Sequence, residues 1–333
     1  MASLITTISG FIFPHEVDNI TVSATEQTAV KIDYNGKTVL DVQLYPIDGT
    51  IELQGIASLL QDWMDAGLGE LTIYLNGTGV RSVSVIPCTL HLDRTAEEGG
   101  NHTFLTRATC RYTHADAKEL LHYPYPELTD ITIKAVIRKD GVVSILTKTE
   151  VSSDSADIVT YDVSPRVLFD LDAYEVMEYT VQVYENTVRY RMIPDGMADT
   201  LHEFGFINSF MQEEYITLTG EAERELKVER LHAYVGGQYR NFQVDVVPHW
   251  TIHSGVLLDG MQGLFDDFIS SKKIWRKSDN VMMAVTSSDY KTKDSSTALN
   301  GGTVTLRETG RTYRHRLQRP VKTFDETFDD TFQ

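Results

Sequence analysis

Two stretches decide the fold: IDYNGKTVL at residues 32–40 and VIRKDGVVSIL at residues 136–146. In each, a turn dipeptide, Asn35-Gly36 or Asp140-Gly141, lies between runs rich in β-branched and aliphatic residues. Asn-Gly and Asp-Gly tolerate the positive φ angles of a type I′ turn, which joins the strands of a tight hairpin. Both stretches therefore predict a β-hairpin.

The similarity between the two stretches continues along the chain. IELQGIASLL at 51–60 corresponds to IVTYDVSPRVL at 158–168, each predicted as a strand followed by a helical turn. LTIYLNGTGVRSVSVIP at 71–87 corresponds to YTVQVYENTVRYRMIP at 179–194, and both end in Ile-Pro. Four elements in the same order, 105 to 108 residues apart, indicate an internal duplication of one β-rich module. The alternative is two unrelated β segments that share common hairpin signals.

The other strand-like runs are bounded by Gly, Asn, Asp or Pro. We predict a mainly β fold: tandem duplicated β-sandwich-like modules followed by a third β-rich domain with one short helix, GMQGLFDDFISS. Short helices are also predicted around IASLLQDWM and ADAKELL. The expected divisions are 1–90 for the first module, 91–125 for an irregular linker, 126–196 for the second copy, 197–319 for the C-terminal β-rich domain and 320–333 for a docking tail.

Composition narrows the possible partners. The chain of 333 residues carries a net charge of −18, and Lys/Arg-driven binding to phosphate is disfavoured on such a surface. We therefore expect no nucleic-acid and no membrane partner. No run approaches the roughly 20 apolar residues that span a bilayer. The N-terminal MASLITTISG has no Lys or Arg before its apolar run, so we expect mature protein synthesised in the cytoplasm.

One region has a metal-like spacing. Cys88-x-x-His91 is followed by Cys110-x-x-x-His114, and two Cys/His pairs could fill the four positions of a structural zinc. However, residues 85–92 resemble a strand, on which positions i and i+3 face opposite sides. We expect no cofactor, with a buried thiol at Cys88; a zinc site and a Cys88–Cys110 disulfide are alternatives.

Catalytic motifs are scarce. The sequence has no nucleophile elbow, P-loop, dinucleotide fingerprint or H-E-x-x-H motif. A glycosidase needs two carboxylates at a set separation, but an acidic chain supplies acid pairs through composition alone. We expect no enzymatic activity; a polysaccharide depolymerase that uses Asp170 or Asp266 is an alternative. The acid pairs are Asp170/Asp172, Asp266/Asp267 and Glu97/Glu98.

The last eleven residues, TFDETFDDTFQ, contain Phe324, Phe328 and Phe332 at a spacing of four. On a helix or a strand this spacing places all three rings on one face. Each buried Phe contributes roughly 1.5–3 kcal/mol, while the acids keep the segment soluble. A basic run, RTYRHRLQRPVK, precedes it. We predict that the three Phe residues dock on a partner; a final strand that completes its own domain is the alternative.

These features resemble structural proteins of tailed bacteriophages, particularly those that infect Bacteroidales-type bacteria. The similarity lies in LYPIDGTIELQGIASLLQDWM at 44–64, GFINSFMQEEYITLTGEAERELKVER at 205–230 and the Phe-acid repeat. It implies a non-enzymatic virion subunit of a tail, neck or baseplate, located in the virion. Its expected partners are other virion proteins and its own copies, in a homo-oligomer.

Two other functions stay open on the sequence. A secreted or surface adhesin would bind glycan through the tandem sandwiches, but it would need export. A capsid-decorating protein would use the same β domains on a different part of the virion. If the chain is an assembling subunit, removal of residues 323–333 is expected to leave the folded domains intact and to weaken assembly.

Overall fold

The structure is a computed structural model that describes residues 2–92, 96, 103–124, 130–151, 157–194, 201–235, 237–291, 300–310 and 313–314. Strands dominate all three parts of the chain, which confirms the mainly β prediction. Within these ranges, no helix has the length and apolar character needed to cross a membrane.

The first module consists of two sheets and a short helix. Its larger sheet has the strand order β2-β8-β7-β4-β5, and its smaller sheet has the order β1-β3-β6. Alternate residues of the central strands are buried, as expected for a sheet with one face on a core. The elements are β1 (Ser3–Leu4), β2 (Phe11–Ile12), a 3₁₀ turn (Pro14–Val17), β3 (Asn19–Ser23), β4 (Thr28–Tyr34), β5 (Lys37–Leu44), β6 (Thr50–Gln54), α1 (Ile56–Gln61), β7 (Gly69–Leu75) and β8 (Thr78–Val85).

The second module repeats this arrangement, except that β1 has no counterpart in it among the described residues. Its elements are β9 (Cys110–Thr113), β10 (Leu120–Tyr123), β11 (Asp130–Lys139), β12 (Val142–Val151), β13 (Val159–Asp162), α2 (Pro165–Leu168), β14 (Glu175–Val183) and β15 (Asn186–Met192). The larger sheet has the order β9-β15-β14-β11-β12, and β10 pairs with β13. In both modules the first strand of this sheet runs parallel to the last, β2 beside β8 and β9 beside β15. The predicted duplication is confirmed.

Both predicted hairpin turns are present. Asn35 and Gly36 have φ values of 49° and 73°, and Asp140 and Gly141 have values of 50° and 79°. These are the left-handed conformations that a type I′ turn requires. The strands that the two turns join differ in length: β4 and β5 have seven and eight residues, whereas β11 and β12 have ten each.

This difference in length changes the alignment of the two copies. Ile32 pairs with Ile73 in the first module, and Ile133 pairs with Val181 at the corresponding place in the second. Ile133 follows Ile32 by 101 residues, whereas Val181 follows Ile73 by 108. If the two copies are aligned on their turn dipeptides, 105 residues apart, the residues of β11 are therefore matched with the wrong residues of β4. The longer β14 follows this hairpin as far as Arg138, which pairs with Glu175.

Residues 91–125 differ from the irregular linker that the sequence predicts. They contain β9 and β10, which belong to the sheets of the second module. The helix predicted over ADAKELL is wrong: a turn at residues 115–116 leads into the strand β10. Ala117, Glu119 and Leu121 are buried with a period of two, and the inward-facing Glu119 concealed the strand pattern. The domain limits themselves stay predictions.

The C-terminal domain is built on one large antiparallel sheet. Its strand order is β17-β16-β20-β21-β22-β19-β18, and β23 pairs beside β22 along β19. The predicted helix, α3, is present and buries Phe265 and Phe268 against the sheet. The elements are β16 (His202–Ile207), β17 (Glu213–Leu218), β18 (Ala222–Val235), β19 (Gln238–His253), α3 (Gln262–Ser270), β20 (Ile274–Arg276), β21 (Val281–Lys291), β22 (Gly301–Glu308) and β23 (Tyr313–Arg314).

Candidate functional site

The docking residues predicted from the sequence, Phe324, Phe328 and Phe332, lie outside the described residues, as do Glu97 and Glu98. Docking by the three Phe residues therefore stays a prediction. The other residues singled out in the sequence have defined positions.

The four Cys and His residues do not form a ligand group. Cys88 is buried, and its thiol donates to the carbonyl oxygen of Leu90 over 3.6 Å. The His91 ring lies 4.8 Å from the ring of His15, and His114 Nε2 lies 3.0 Å from a carboxylate oxygen of Glu203. Both thiols are free, and among the described residues no three His, Cys, Asp or Glu side chains come together as a metal site.

The acid pairs have different environments. Asp170 and Asp172 are exposed in the segment after α2. Asp267, on α3, is buried. Its carboxylate accepts hydrogen bonds from Arg107 over 3.0 Å and from Ser209 Oγ over 2.8 Å. Burial raises the pKa of Asp267, and these donors oppose the rise. Asp267 thus ties α3 to the segment that precedes β9 and to the loop that contains Ser209.

That loop, residues 208–212, joins β16 to β17 and is named here the junction loop. The Asn208 side chain holds its turn, because Oδ1 accepts from the backbone N–H groups of Phe210 and Gln212 over 2.9 and 3.0 Å. Met211 has a left-handed φ of 60°. An Asn that bonds the backbone two residues on is a common means of forming a tight turn.

The junction loop contacts both modules. Its Ser209 carbonyl accepts from the backbone N–H of Thr89 over 2.8 Å, and Gln212 Nε2 donates to the Ala66 carbonyl over 2.6 Å. The Phe210 ring lies 6.3 Å from the ring of Phe13 in a core that also contains residues of the second module. The three domains therefore meet around one short loop.

A buried ion cluster lies beside this loop. Arg111 on β9 donates to Glu214 on β17 over 2.5 Å and to Glu119 over 3.3 Å. Glu214 also accepts from Asn208 Nδ2 over 2.8 Å and from the hydroxyl of Thr106. These bonds connect the second module to the C-terminal sheet without access to water.

Charge and burial oppose each other in this cluster. Burial raises the pKa of Glu119 to about 7, although the Arg111 guanidinium lowers it. Burial alone would lower the pKa of Arg111, but Tyr190, Glu214 and Glu119 more than offset that effect and raise it. One guanidinium thus faces two buried carboxyl groups, those of Glu119 and Glu214. This arrangement fixes the domains relative to each other.

Sequence reasoning missed the cluster. A charged residue in a short strand is ordinarily assigned to the solvent face, because Lys, Arg, Asp and Glu are rarely fully buried unless paired. Arg111 and Thr113 alternate with exposed or half-buried neighbours on β9, which is a strand signal only after β9 has been recognised. The segment GFINSFMQEEYITL, which contains Asn208 and Glu214, was singled out for its resemblance and not for burial.

The most exposed feature is a long hairpin. β18 and β19 pair over their whole length, but β19 pairs with β22 only at residues 249–253 and with β23 only at 245–246. Within the described chain, residues 230–235 and 238–244 therefore pair only with each other; this part is named here the arm. Seven residues of strand extend roughly 23 Å.

The arm carries aromatic and aliphatic side chains in solvent. Tyr234 and Tyr239 form a cross-strand pair with ring centroids 5.1 Å apart, and they are 64% and 80% exposed. Leu231 is 60% exposed. A two-stranded hairpin without a third strand or a packed face is only marginally stable in water.

The β11–β12 hairpin of the second module also exposes apolar side chains. Among the described residues, β12 is an edge strand that pairs only with β11, and it exposes Val142, Val143 and Ile145 near the turn. Unpaired edges with apolar side chains favour addition of another strand. The described surface thus presents two hairpins with exposed apolar side chains.

No protein-family model matches the chain, and no curated protein matches it.

Proposed function

We propose that the protein is a non-enzymatic structural subunit of a phage virion, in a tail, neck or baseplate assembly. The observation that carries this proposal is the arm, where Tyr234 and Tyr239, which are 64% and 80% exposed, form a cross-strand ring pair. The resemblance of residues 44–64, 205–230 and 323–333 to tailed-phage structural proteins supplies the virion context.

Physical chemistry supports a role in assembly. The buried junction holds the three domains as one body, so a neighbour that binds the arm would be positioned relative to the whole chain. Backbone pairing at strand edges supplies affinity in strand addition, and side chains such as the two Tyr supply specificity. The arm and the edge of β12 are different surfaces, so contact between them would be head-to-tail and would generate a ring or a filament.

Solution mass tests the proposal. We expect light scattering after gel filtration to give a defined oligomer for the full chain and a smaller species for the Tyr234→Ser/Tyr239→Ser variant. The control is Tyr45→Ser/Ile47→Ser, which removes two side chains of comparable exposure, 73% and 78%, from a loop outside the arm. All three proteins should have the same far-UV circular dichroism and melting temperature.

Other results would contradict the proposal or a part of it. A full chain that stays monomeric at all concentrations, alone and with a phage lysate fraction, would contradict an assembling subunit. Equal loss of mass in the arm and loop variants would remove the arm from the interface. A monomer that binds polysaccharide would instead favour the glycan-binding adhesin.

A further inference from the structure

A pocket of about 510 Å³ opens at the base of the arm, lined by residues of β16, β18, β19, β20, β21 and β22. Its apolar lining includes Phe204, Ile252 and Met283, which are buried, and the half-buried Trp250. This is enough space and apolar surface for one aromatic side chain, and the lining is continuous with the core of the C-terminal domain.

Two polar groups in the pocket lack an acceptor. The Trp250 indole N–H is buried and has no hydrogen-bond partner within the described residues. The Arg224 guanidinium lies 5.4 Å from the Trp250 ring centroid, and no carboxylate of the described chain pairs with it. Buried donors in native proteins almost always have a partner, so an indole N–H at the wall of a pocket indicates a ligand that accepts from it.

Each acid that lines the pocket already accepts a hydrogen bond from a cation of the described chain. Arg276 donates to Asp279 over 2.7 Å and to Glu308 over 3.1 Å. Glu203 accepts from Lys277 over 2.7 Å, and its pKa stays low because these bonds outweigh burial. Arg224 is therefore the cation of the pocket that remains available to an anionic ligand.

The occupant that fits has an aromatic side chain next to a carboxylate. The aromatic group would fill the apolar lining, and the carboxylate would accept charge-assisted hydrogen bonds from Arg224. The chain itself supplies this pair twice, at Phe324-Asp325 and Phe328-Asp329. We propose that the Trp250 pocket is the docking site for residues 323–333 of a second copy of this chain.

The direction of the chain favours a second copy over the same one. β22 passes the pocket where Leu306 pairs with Trp250. The chain then continues along β19, where Tyr313 pairs with Val246 and Arg314 with Asp245. It therefore leaves its own pocket in the direction of the arm tip, towards the space that a neighbouring subunit would occupy.

A binding assay tests the site on the full-length chain. The receiver is the Phe324→Ser/Phe328→Ser/Phe332→Ser variant, whose own tail cannot compete, and the probe is a fluorescently labelled peptide of residues 320–333. We expect saturable binding by anisotropy, and Arg224→Gln in the receiver should raise the Kd at least tenfold. Lys227→Gln, the same loss of charge on the same strand but outside the pocket and the arm, should leave the Kd within twofold. No binding, or equal effects of the two substitutions, would overturn the site.

A mixing experiment tests whether docking occurs between copies. Full-length Arg224→Gln keeps its tail but has an impaired pocket, and the triple Ser variant keeps its pocket but has an impaired tail. Docking in trans predicts that the mixture forms a complex that neither variant forms alone; absence of that complex would overturn a second copy as the occupant.

This inference rests on the proposed function, since it names one contact through which copies assemble. The two can fail separately. An oligomer of the full chain that persists when the receiver binds no peptide would retain the assembling subunit and reject the pocket. A monomeric full chain would reject the assembling subunit.

Discussion

Arg111 on β9 donates to Glu214 on β17 over 2.5 Å, and the two side chains are only 1% and 2% exposed. The bond joins an edge strand of the second module to the sheet of the C-terminal domain. Because neither group has access to water, removal of one leaves the other as an unpaired buried charge.

We therefore expect Arg111→Ala to lower the free energy of unfolding by about 3–5 kcal/mol, as measured by urea denaturation. Arg138→Ala is the matched control, since it removes an Arg–Glu pair whose side chains are 48% and 56% exposed. Exposed pairs contribute about 1 kcal/mol or less. Equal midpoints for the two variants would show that the cluster does not stabilise the fold.

Glu119 predicts a pH dependence of stability. Its pKa is about 7 in the folded chain against an ordinary value of 4.5, so the folded state holds this proton more tightly than the unfolded state. Its contribution is fully present below pH 4.5 and is lost as the pH rises through 7, by up to about 3 kcal/mol. The difference in unfolding free energy between wild type and Glu119→Gln should change over this interval. A constant difference from pH 4.5 to 7.5 would disagree with a raised pKa.

Two of the isoleucines in the β11–β12 hairpin lie in opposite environments. Ile133 is 1% exposed, whereas Ile145 is 74% exposed. Ile133→Ala should cost about 2–5 kcal/mol, because it leaves a cavity in the core. Ile145→Ala should change monomer stability by about 0.5 kcal/mol or less. Thermal unfolding at low protein concentration compares them, and a large loss for Ile145→Ala would place that residue in a contact within the monomer.

Gly69 has a steric role. A Cβ at this position would lie 1.9 Å from Tyr34 Oη and 2.2 Å from its Cζ, and Tyr34 is only 1% exposed. Because the ring cannot move aside, Gly69→Ala should destabilise the first module by about 1–3 kcal/mol. Gly79→Ala is the control on the neighbouring strand, where the nearest atom is at 3.5 Å. It should be neutral or slightly stabilising, since Ala restricts the unfolded chain. Calorimetry of both variants distinguishes the two sites.

The sequence predicted the architecture because local signals agree with it. Asn35-Gly36 and Asp140-Gly141 mark hairpins that exist, and the order of elements around them identified the duplication. The start of the second module was not recognised, because β9 carries Arg111 at an inward position and the residue before β10 is the buried Glu119. A periodic pattern of apolar residues predicts which positions of a strand are buried. It does not predict the burial of a charged pair such as Arg111 and Glu119, whose side chains are hydrogen-bonded to each other.

The candidate surfaces also differ in whether the sequence alone reveals them. The Phe repeat at 323–333 is a contiguous pattern and can be seen in the sequence. The Trp250 pocket combines residues from strands separated by up to a hundred positions, and the junction loop depends on contacts with Ala66 and Thr89. Such sites are set by the register of the sheets, and a single sequence does not specify that register.

The parallel pairing of β2 with β8, and of β9 with β15, places the entry and exit of each module on neighbouring strands. Because each pair is parallel, the chain enters the sheet along its first strand and leaves it along the last strand in the same direction. A following module can therefore begin without the chain crossing back over the sheet it has left, so the unit could be copied in tandem without a change in the strand order of either sheet.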